Sequence, residues 1–369
     1  MENKICCILN YAPHYRQAIY RLMDNELECD FYFGSRLQTG IKKIDYSGLK
    51  NARELHSVWS FKKIYWMVNS ISLIFKPYKK YLITGQINCI SNWIFLPLAR
   101  LAGKEVYLWN HGWYGKETSF QKLIKKIYYS QVKGFFLYGE YAKGLMIEQG
   151  FAKEKLHVVY NSLNYQQSLE NRQNVCKTAI YSNYFGNERP VLLFIGRLQP
   201  VKKLDMILSV LKIQKQKGII YNLVFIGEGS DKENLIGLSK EYDVEDQVWF
   251  YGACYDENLL ASLIFNADLC VSPGNVGLTA IHALSYGTPV ITHNYNAKQG
   301  PEFEAIVPGV TGDYFEHNNP ISLQEEIVKW FEKHPHKDNI LINACYQVID
   351  EKYNPFYQIE VMKNILKQP

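Results

Sequence analysis

Two cations in the C-terminal half of the chain could grip a diphosphate. In GRLQPVKKLD, Arg197 follows the apolar run VLLFIG, and Lys202 comes just before the next helical segment. An arginine fork and a lysine point charge are the side chains best suited to phosphate oxygens. The alternative is a pair of solvated surface cations, which is the usual state of Lys and Arg. The pair alone leaves both interpretations open.

Glycine-rich segments follow the neighbouring apolar runs. IGEG offers backbone N–H groups at a strand end, and PGNVGLTAI places a glycine directly before a predicted helix. Free N–H groups and the dipole at a helix N-terminus favour phosphate, although glycines can also simply form turns. Together these segments predict a phosphate-binding site. The candidate ligand-binding residues at these strand ends are Gly196, Glu228, Gly229, Asn275, Gly277, Leu278 and Thr279.

The elements that must position these residues alternate between strand and helix. The 369 residues exceed one ordinary core, so we expect two domains. Strand–helix repetition predicts an α/β protein with parallel sheets, and ligands of such sheets lie beyond the carboxyl ends of the strands. The predicted strands are KICCILN, CDFYFG, YLITG, EVYLWNHG, GFFLYG, VLLFIGR, NLVFIGEG, QVWFYGA, LCVSP and PVITH.

The predicted domain boundaries follow the composition. Residues 1–165 form one Rossmann-like domain and residues 190–352 form a second. Residues 166–189 between them are polar and without clear periodicity, which predicts a linker. Residues 353–369 read as a final helix that could cross back to the first domain.

The C-terminal half of the sequence resembles a known family. The segments GRLQPVKK, VFIGEGSDKENL, VWFYGA and ADLCVSPGNVGLTAIHALSYGTPVI are similar to the donor domain of retaining family-4 glycosyltransferases of the GT-B fold. The resemblance covers about residues 190–315 and implies two Rossmann-like domains with an interdomain cleft. It also implies a nucleoside-diphosphate sugar as donor and a glycan or lipid-linked saccharide as acceptor, in bacterial surface polysaccharide or glycolipid synthesis.

The resemblance assigns roles to the phosphate site. Arg197 and Lys202 would grip the donor diphosphate, and the backbone at Gly277 to Thr279 would cap its distal phosphate. The reaction would be same-face substitution, in which a donor phosphate oxygen helps to deprotonate the acceptor. Such enzymes need neither a divalent ion nor a bound cofactor, and the sequence has no D-x-D, H-E-x-x-H or clustered Cys/His motif.

The chain departs from the family at a Glu-x7-Glu signature. Aligned on Gly277 and Leu278, the two glutamates fall on Gly274 and His282. In the family the second glutamate holds the ribose diol, and the first lies beside the transferred sugar. A neutral imidazole offers one donor and one acceptor, so His282 is either a substitute ribose ligand or a histidine that packs under the loop.

In the first half, EVYLWNHGWYG ends a strand at His111, which is the first catalytic candidate by resemblance; the alternative is a histidine that serves the fold. Trp113 could stack on a sugar. The first strand leads into NYAPHYRQ, where His14 and Arg16 could meet a diphosphate or an acidic acceptor; Arg16 could equally lie on a helix surface. Gln86 and Asn88 could line an acceptor cleft.

The net charge and the cysteine content indicate which partners and which cellular compartment to expect. The net charge of +5 is mild and no nucleic-acid motif is present, so anionic small molecules or an anionic membrane surface fit better. FKKIYWMVNSISLIFKPYKKY and FQKLIKKIYYSQVKG could lie on a membrane, or simply pack one face and solvate the other. Eight cysteines without a C-x-x-C pair are typical of buried thiols in the cytoplasm, so we expect a cytoplasmic protein, with peripheral membrane contact as an option.

Three functions stay open. The first is a metal-independent retaining hexosyltransferase, the second a GT-B nucleotide-sugar epimerase, and the third a non-catalytic nucleotide-sugar-binding homologue, suggested by Gly274 and His282. A dehydrogenase is disfavoured because the first strand does not lead into G-x-G-x-x-G.

Overall fold

The computed structural model describes residues 4–36, 41–60 and 64–367. The chain folds into two compact units, Met1–Asn164 with Asn354–Pro369, and Tyr165–Tyr353. Each unit is built on a parallel sheet with helices in the connections, so the predicted α/β class is confirmed.

The first unit contains a seven-stranded parallel sheet. Its strands and those of a small hairpin are β1 (Ile5–Leu9), β2 (Cys29–Gly34), β3 (Ala52–Leu55), β4 (Ser57–Ser60), β5 (Ile64–Met67), β6 (Lys80–Thr84), β7 (Glu105–Asn110), β8 (Gly134–Leu137) and β9 (Leu156–Val158). The sheet order is β3-β2-β1-β6-β7-β8-β9. All five residues of β1 are buried, because helices cover both faces of a central parallel strand.

The helices of the first unit are α1 (Gln17–Leu27), α2 (Ile90–Leu101), α3 (Ser119–Tyr129), α4 (Glu140–Glu148) and α13 (Pro355–Leu366). The last helix begins at an Asn354 cap, whose Oδ1 accepts from Tyr357 N at 2.9 Å. It packs on α1, and Lys363 pairs with Glu26 at 2.8 Å. Both helices contribute to one core cluster, through Ile19, Met23, Leu27, Ile359, Met362 and Leu366.

The first of the two stretches considered for membrane contact is not a helix. Residues 61–63 lie outside the described residues. Within the rest of the stretch, Ile64–Met67 is strand β5, paired antiparallel with β4, and Ile71–Phe75 is a short 3-10 helix. Alternating residues of β5 (Tyr65 and Met67) are buried in the period of a strand, so this part of the stretch packs one side inward and does not form an amphipathic helix.

The second unit contains a six-stranded parallel sheet of β10 (Val191–Ile195), β11 (Asn222–Ile226), β12 (Val248–Gly252), β13 (Leu269–Ser272), β14 (Val290–His293) and β15 (Gly312–Phe315). Its order is β12-β11-β10-β13-β14-β15. Its helices are α5 (Tyr165–Asn174), α6 (Ile180–Phe185), α7 (Asp205–Gln216), α8 (Lys232–Glu241), α9 (Glu257–Asn266), α10 (Leu278–Ser285), α11 (Pro320–Lys333) and α12 (Asn339–Glu351).

The residues predicted to form a linker, 166–189, are largely helical. They contain most of α5 and all of α6, and both helices pack on α9 within the second unit. Polar side chains make this packing: Asn171 Nδ2 donates to Glu257 O at 3.1 Å, and Arg172 Nε donates to Ser285 O at 2.8 Å. These hydrogen bonds hold α5, whereas α6 packs through Tyr181 and Tyr184 on Trp249. Neither short helix shows a clear hydrophobic period, so both were missed.

Candidate functional site

The carboxyl ends of β10 and β11 are packed backbone against backbone. A Cβ on Gly227 would lie 1.9 Å from Gly196 O, and one on Gly229 would lie 1.9 Å from Leu198 O. The Gly227 N–H donates to Gly252 O at 2.8 Å. The glycines of IGEG therefore allow this close approach. The expectation that this segment presents open N–H groups is wrong at Gly227, whose N–H the neighbouring strand end already uses.

Arg197 and Lys202 lie close together beyond this packed edge. Lys202 is partly buried, and its Nζ donates to Asn275 O at 2.5 Å. Burial lowers the pKa of Lys202, as does the nearby Arg197 guanidinium, while the Glu302 carboxylate opposes the shift. Two cations held near each other, one of them partly desolvated, create a positive potential that a phosphate would neutralise.

Gly274 lies against the backbone that carries Lys202. Its N–H donates to Lys202 O at 2.9 Å, and a Cβ at 274 would lie 2.3 Å from Val201 O and 2.7 Å from Lys202 Cα. No side chain fits there unless the loop moves. The glutamate missing from this position is thus replaced by direct packing between two backbone segments.

The N-terminus of α10 faces the same strand ends. Gly277 caps it with φ +51° and ψ −148°, a conformation that disfavours other residues, and Thr279 Oγ1 donates to Ile195 O at 2.9 Å. Within the described residues, no hydrogen bond engages the N–H groups of Leu278 or Thr279. These N–H groups are therefore available to an anion.

His282 is bonded to a carboxylate that sequence reasoning missed. Its Nε2 lies 2.9 Å from Glu257 Oε1, the atom that also accepts from Tyr286 OH at 2.9 Å. Glu257 is the first residue of α9, where Asp256 caps the helix through the N–H groups of Asn258 and Leu259. The local sequence predicts only that Asp256 caps a helix at Glu257. It does not predict the contact with His282, because the two residues lie 25 positions apart in the chain.

The Glu228 side chain points into solvent. It pairs with Lys232 at 2.8 Å, one turn along the chain, while the Glu228 backbone oxygen accepts from Leu198 N at 3.0 Å. This exposed pair contributes little to stability. Glu228 thus helps to join the two strand-end loops through its backbone.

In the first unit, His111 borders a cavity of about 520 Å³ at the carboxyl ends of β6 and β7. Gln86 and Asn88 line the same cavity, and Tyr65 OH donates to Gln86 Oε1 at 2.8 Å. The His111 side chain is open to solvent within this concave site, yet the surrounding protein and the cations Arg16 and Lys125 lower the pKa of His111 below its ordinary value. At neutral pH it is an uncharged donor and acceptor.

Arg16 reaches the same cluster from the first strand-end loop. Its guanidinium donates to Tyr138 OH and lies 4.8 Å from the Trp109 ring centroid. The His111 ring lies 4.8 Å from the Tyr138 ring. Arg16 is therefore held by aromatic side chains instead of lying on a helix surface. His14 is exposed, with Nδ1 3.4 Å from Lys42 O, and no described contact joins it to this cluster.

Trp113 is a core residue. It is only 2% exposed, and its ring packs against Tyr129 and Phe151. The prediction of a sugar platform is therefore wrong for Trp113. The chain turns inward at Gly112, where φ is +68° and a Cβ would meet Leu137 Cδ2 at 2.9 Å. Tyr114 is the exposed aromatic residue of this loop, with its ring 5.8 Å from that of His111.

An ion pair that the sequence did not reveal fixes the His111 loop. Lys125 of α3 lies 2.5 Å from Glu117 Oε1, and both side chains are nearly buried. Glu117 also accepts from the N–H groups of Tyr114 and Gly115, and Lys125 donates to Gly112 O at 2.9 Å. These bonds tie residues 112–117 to α3, so they position His111 indirectly.

A further cavity of about 630 Å³ lies at the opposite end of the second sheet, where Val191 begins β10 and Asp268 precedes β13. It contains none of the predicted site residues. Across the described ranges, no group of three or more His, Cys, Asp or Glu side chains could hold a metal ion. Nor does any helix in those ranges combine the length and apolar character needed to cross a membrane.

Most of the second unit is similar to a known protein family. Residues 182–348 match the family model described as glycosyl transferases group 1. The chain is 28% identical over 244 residues to an uncharacterized 41.2 kDa protein in the cps region of Klebsiella pneumoniae, which covers 63% of this chain and 57% of that protein. It is 31% identical over 111 residues to an uncharacterized glycosyltransferase of Haemophilus influenzae, covering 29% and 30% of the two chains. The chain thus spans less than two thirds of the length of these relatives.

Solved structures resemble the whole chain. HepE of Anabaena in complex with UDP gives a TM-score of 0.74 at 12% identity, covering 99% of this chain and 100% of HepE. The lipopolysaccharide outer core galactosyltransferase WaaB gives 0.71 at 17% identity, covering 98% of each chain. At these identities the likeness concerns the fold, and it confirms the expected GT-B architecture of two Rossmann-like units.

Proposed function

We propose that the protein is a retaining, metal-independent glycosyltransferase of the hexosyltransferase type, because most of its second unit matches the family model of the glycosyl transferases group 1. It transfers a sugar from a nucleoside diphosphate to a glycan or a lipid-linked saccharide, in bacterial surface polysaccharide or glycolipid synthesis. The relative from a cps region and the fold of WaaB support this biological setting.

The observation that carries the proposal is the convergence of charge at one edge of the second sheet. Arg197 and Lys202 lie near each other, and the unengaged N–H groups of Leu278 and Thr279 face the same strand ends. Negative charge builds on the diphosphate as it leaves the sugar. Fixed donors at that position stabilise this charge in the transition state, which is usually the largest catalytic effect.

The remaining catalytic step concerns the acceptor hydroxyl. It attacks the anomeric carbon on the face from which the diphosphate departs, and a phosphate oxygen of the leaving group takes its proton. His111 is uncharged at neutral pH because its pKa lies below the ordinary histidine value, so it hydrogen-bonds to sugar or phosphate without acting as a cation. In the first unit, the cavity beside Gln86, Asn88 and His111 holds the acceptor.

Donor binding and hydrolysis test this proposal. Calorimetry with UDP-, GDP- and dTDP-sugars should find at least one ligand, and UDP-sugars come first because HepE was solved with UDP. Lys202→Ala should lower affinity roughly tenfold to a hundredfold, the value of a charge-assisted hydrogen bond. Lys240→Ala, at an exposed lysine of α8, is the matched control and should bind normally. Equal binding by both variants, or no binding to any donor, would refute the proposed diphosphate grip.

Stereochemistry and turnover separate a transferase from its alternatives. With donor and a total lipid extract, the anomeric configuration of the product, read by NMR, should match that of the donor. An epimerase would release nucleotide and a modified sugar without acceptor. A non-catalytic homologue would bind the donor and release nothing in the presence of the extract.

The proposal includes a membrane-facing surface on the first unit, here called the α2–α3 stripe. In α3 the apolar residues Phe120, Leu123 and Ile127 are 70%, 56% and 49% exposed, while Lys125, Tyr128 and Tyr129 are buried. The apolar stripe of this amphipathic helix thus faces outward. Neighbouring α2, joined by Asn92 Nδ2 donating to Tyr128 OH, adds Ile94, Leu98 and Leu101.

Charge favours an anionic lipid surface as the occupant of the α2–α3 stripe. Lys116 and Lys126 are exposed beside the apolar residues, and Ile90 at the start of α2 lines the acceptor cavity. Apolar side chains at headgroup depth and lysines near anionic lipid both strengthen binding, the lysines by about 1 kcal/mol each. A lipid-linked acceptor would then meet the cavity from the membrane.

Vesicle sedimentation tests the stripe. The protein should bind phosphatidylglycerol-containing vesicles and bind phosphatidylcholine vesicles weakly. Replacing Phe120, Leu123 and Ile127 by Ser should reduce binding at least tenfold. The matched control replaces Ile321 and Ile340, which are 61% and 80% exposed on the second unit, and should change nothing. Undiminished binding by the α3 variant would contradict a membrane role for this surface.

A further inference from the structure

Glu257 is a carboxylate presented next to the proposed phosphate site by helices of the second unit. Its Oε1 accepts from His282 Nε2 and from Tyr286 OH, both at 2.9 Å. Because a carboxylate only accepts, the His282 Nε2 carries the proton. Asn171 Nδ2 in turn donates to Tyr286 OH at 3.2 Å and to Glu257 O at 3.1 Å, so α5, α9 and α10 together fix this side chain.

This carboxylate is charged and keeps capacity for a ligand. Burial alone would raise the pKa of Glu257, but the hydrogen bonds from His282 and Tyr286 outweigh it and the pKa is lowered. The Glu257 side chain is 39% exposed. Its Oε2 has no hydrogen-bond partner in the part of the chain that the structure describes. An ionised carboxylate with one open oxygen is suited to accept from two adjacent hydroxyl groups.

The distance from the phosphate site suits a ribose. His282 follows Leu278 by four residues on α10, so both lie on one helix face, about 6 Å apart along the axis. The ribose of a nucleotide is joined to its phosphate by a single methylene group. A diphosphate at the α10 N-terminus therefore places the ribose diol about one helical turn away, beside the His282–Glu257 pair.

We propose that Glu257 binds the 2′,3′-diol of the donor's ribose, and that His282 and Tyr286 are positioning residues that hold its carboxylate. This inference rests on the proposed function, because it needs a nucleoside diphosphate at the α10 N-terminus. The carboxylate absent from α10 is thus supplied by α9, and the histidine on α10 orients it.

A carboxylate at the ribose diol would select one class of nucleotide-sugar donor. A 2′-deoxyribose offers one hydroxyl where a ribose offers two, and a site built to accept from both leaves part of the carboxylate unpaired with the deoxy sugar. Sites of this kind reject analogues that lack the hydroxyl group. The donor is therefore a ribonucleoside diphosphate sugar, such as a UDP- or GDP-sugar, and dTDP-sugars are excluded.

Calorimetry with matched nucleotide pairs tests the inference. Wild-type protein is titrated with UDP and 2′-deoxy-UDP, and with GDP and 2′-deoxy-GDP. The ribonucleotide of the preferred base should bind about tenfold or more tightly than its deoxy partner. Glu257→Gln should lose most of that ratio, mainly by weakening the ribonucleotide. Glu233→Gln, at an exposed glutamate of α8, is the charge-matched control and should keep the ratio.

The positioning role of His282 is tested by the ratio of ribonucleotide affinity to deoxynucleotide affinity. His282→Ala should reduce the ribo-to-deoxy ratio severalfold, and His282→Gln, which retains an N–H donor, should restore it. A purely structural histidine would change the melting temperature and leave the ratio intact. Equal weakening of both nucleotides in Glu257→Gln, or no ratio in the wild type, overturns the inference. If no nucleoside diphosphate binds the wild type at all, the proposed function itself fails.

Discussion

The two parallel sheets use their carboxyl ends in different ways. In the second unit the edge is built from backbone: Gly227 and Gly229 let two loops touch, and Gly274 lets a third approach Lys202. In the first unit the edge is built from side chains: Arg16 and His111 meet at the Tyr138 ring. A backbone site suits an invariant group such as a diphosphate, whereas a side-chain site can change with the acceptor.

The largest effect is expected from adding a single methyl group to the second unit, at position 274. Gly274→Ala places a Cβ 2.3 Å from Val201 O, so the segment carrying Lys202 must move. We expect a loss of about 1–3 kcal/mol in the free energy of unfolding. Donor affinity should fall roughly a hundredfold, the upper value of a charged hydrogen bond. Calorimetry and denaturant melts measure the two effects.

The control for Gly274→Ala is Gly237→Ala in α8, where an added Cβ meets nothing within 4 Å. It should stabilise the helix by up to about 1 kcal/mol and leave donor binding unchanged. Normal donor binding by Gly274→Ala would show that the close packing at 274 does not position Lys202.

In the first unit, the corresponding test removes a charge. Glu117→Gln leaves Lys125 nearly buried without its partner, which should cost about 3 kcal/mol in the free energy of unfolding. Adding Lys125→Met should recover much of that loss. Glu54→Gln, at the half-exposed pair with Lys43, is the control and should cost less than about 1 kcal/mol. Similar losses at both pairs would mean that the Glu117–Lys125 bond does not hold the His111 loop.

Features set by the local sequence could be predicted, whereas features set by distant contacts could not. The strand ends at Arg197 and His111 follow local patterns of apolar runs and glycines, so their positions could be predicted. Whether a side chain points out or in depends on distant partners: Trp113 turns inward because Gly112 packs against Leu137. The Glu257–His282 pair joins two helices and leaves no periodic signal.

Each unit also carries a histidine whose pKa is lowered by its surroundings, and the two should respond differently to acid because His293 is buried and His111 is open to solvent. His293 is 1% exposed, and burial, helped by His317, Lys203 and Lys298, lowers its pKa to about 4. The unfolded chain, with a histidine pKa near 6.5, binds the proton more readily. Stability is therefore lost as pH falls from about 6.5 towards 4, by about 2 kcal/mol at pH 5 relative to pH 7.

Substitution separates the two histidines. In His293→Asn the amide oxygen can still accept from Tyr295 N, as Nδ1 does at 3.1 Å, so the fold should persist with a flatter pH dependence. His111→Asn should flatten it less, because solvent in the cavity screens that charge. Melting temperatures between pH 4.5 and 7.5 measure both, and an equal effect of the two substitutions would contradict the difference in their surroundings.

The smallest expected effect comes from restoring a glutamate at position 282. His282→Glu would place a second carboxylate against Glu257, where His282 Nε2 now lies 2.9 Å away. The two charges repel, so we expect affinity for the ribonucleotide to fall about tenfold instead of rising. Adding Glu257→Gln removes the repulsion and leaves one carboxylate at the site, which should return affinity to near the wild-type value. The two positions therefore compete to carry a single charge, and calorimetry of both variants measures that competition. An increase in affinity in the single variant would mean that the carboxylate belongs on α10 and that Glu257 only supports the helix.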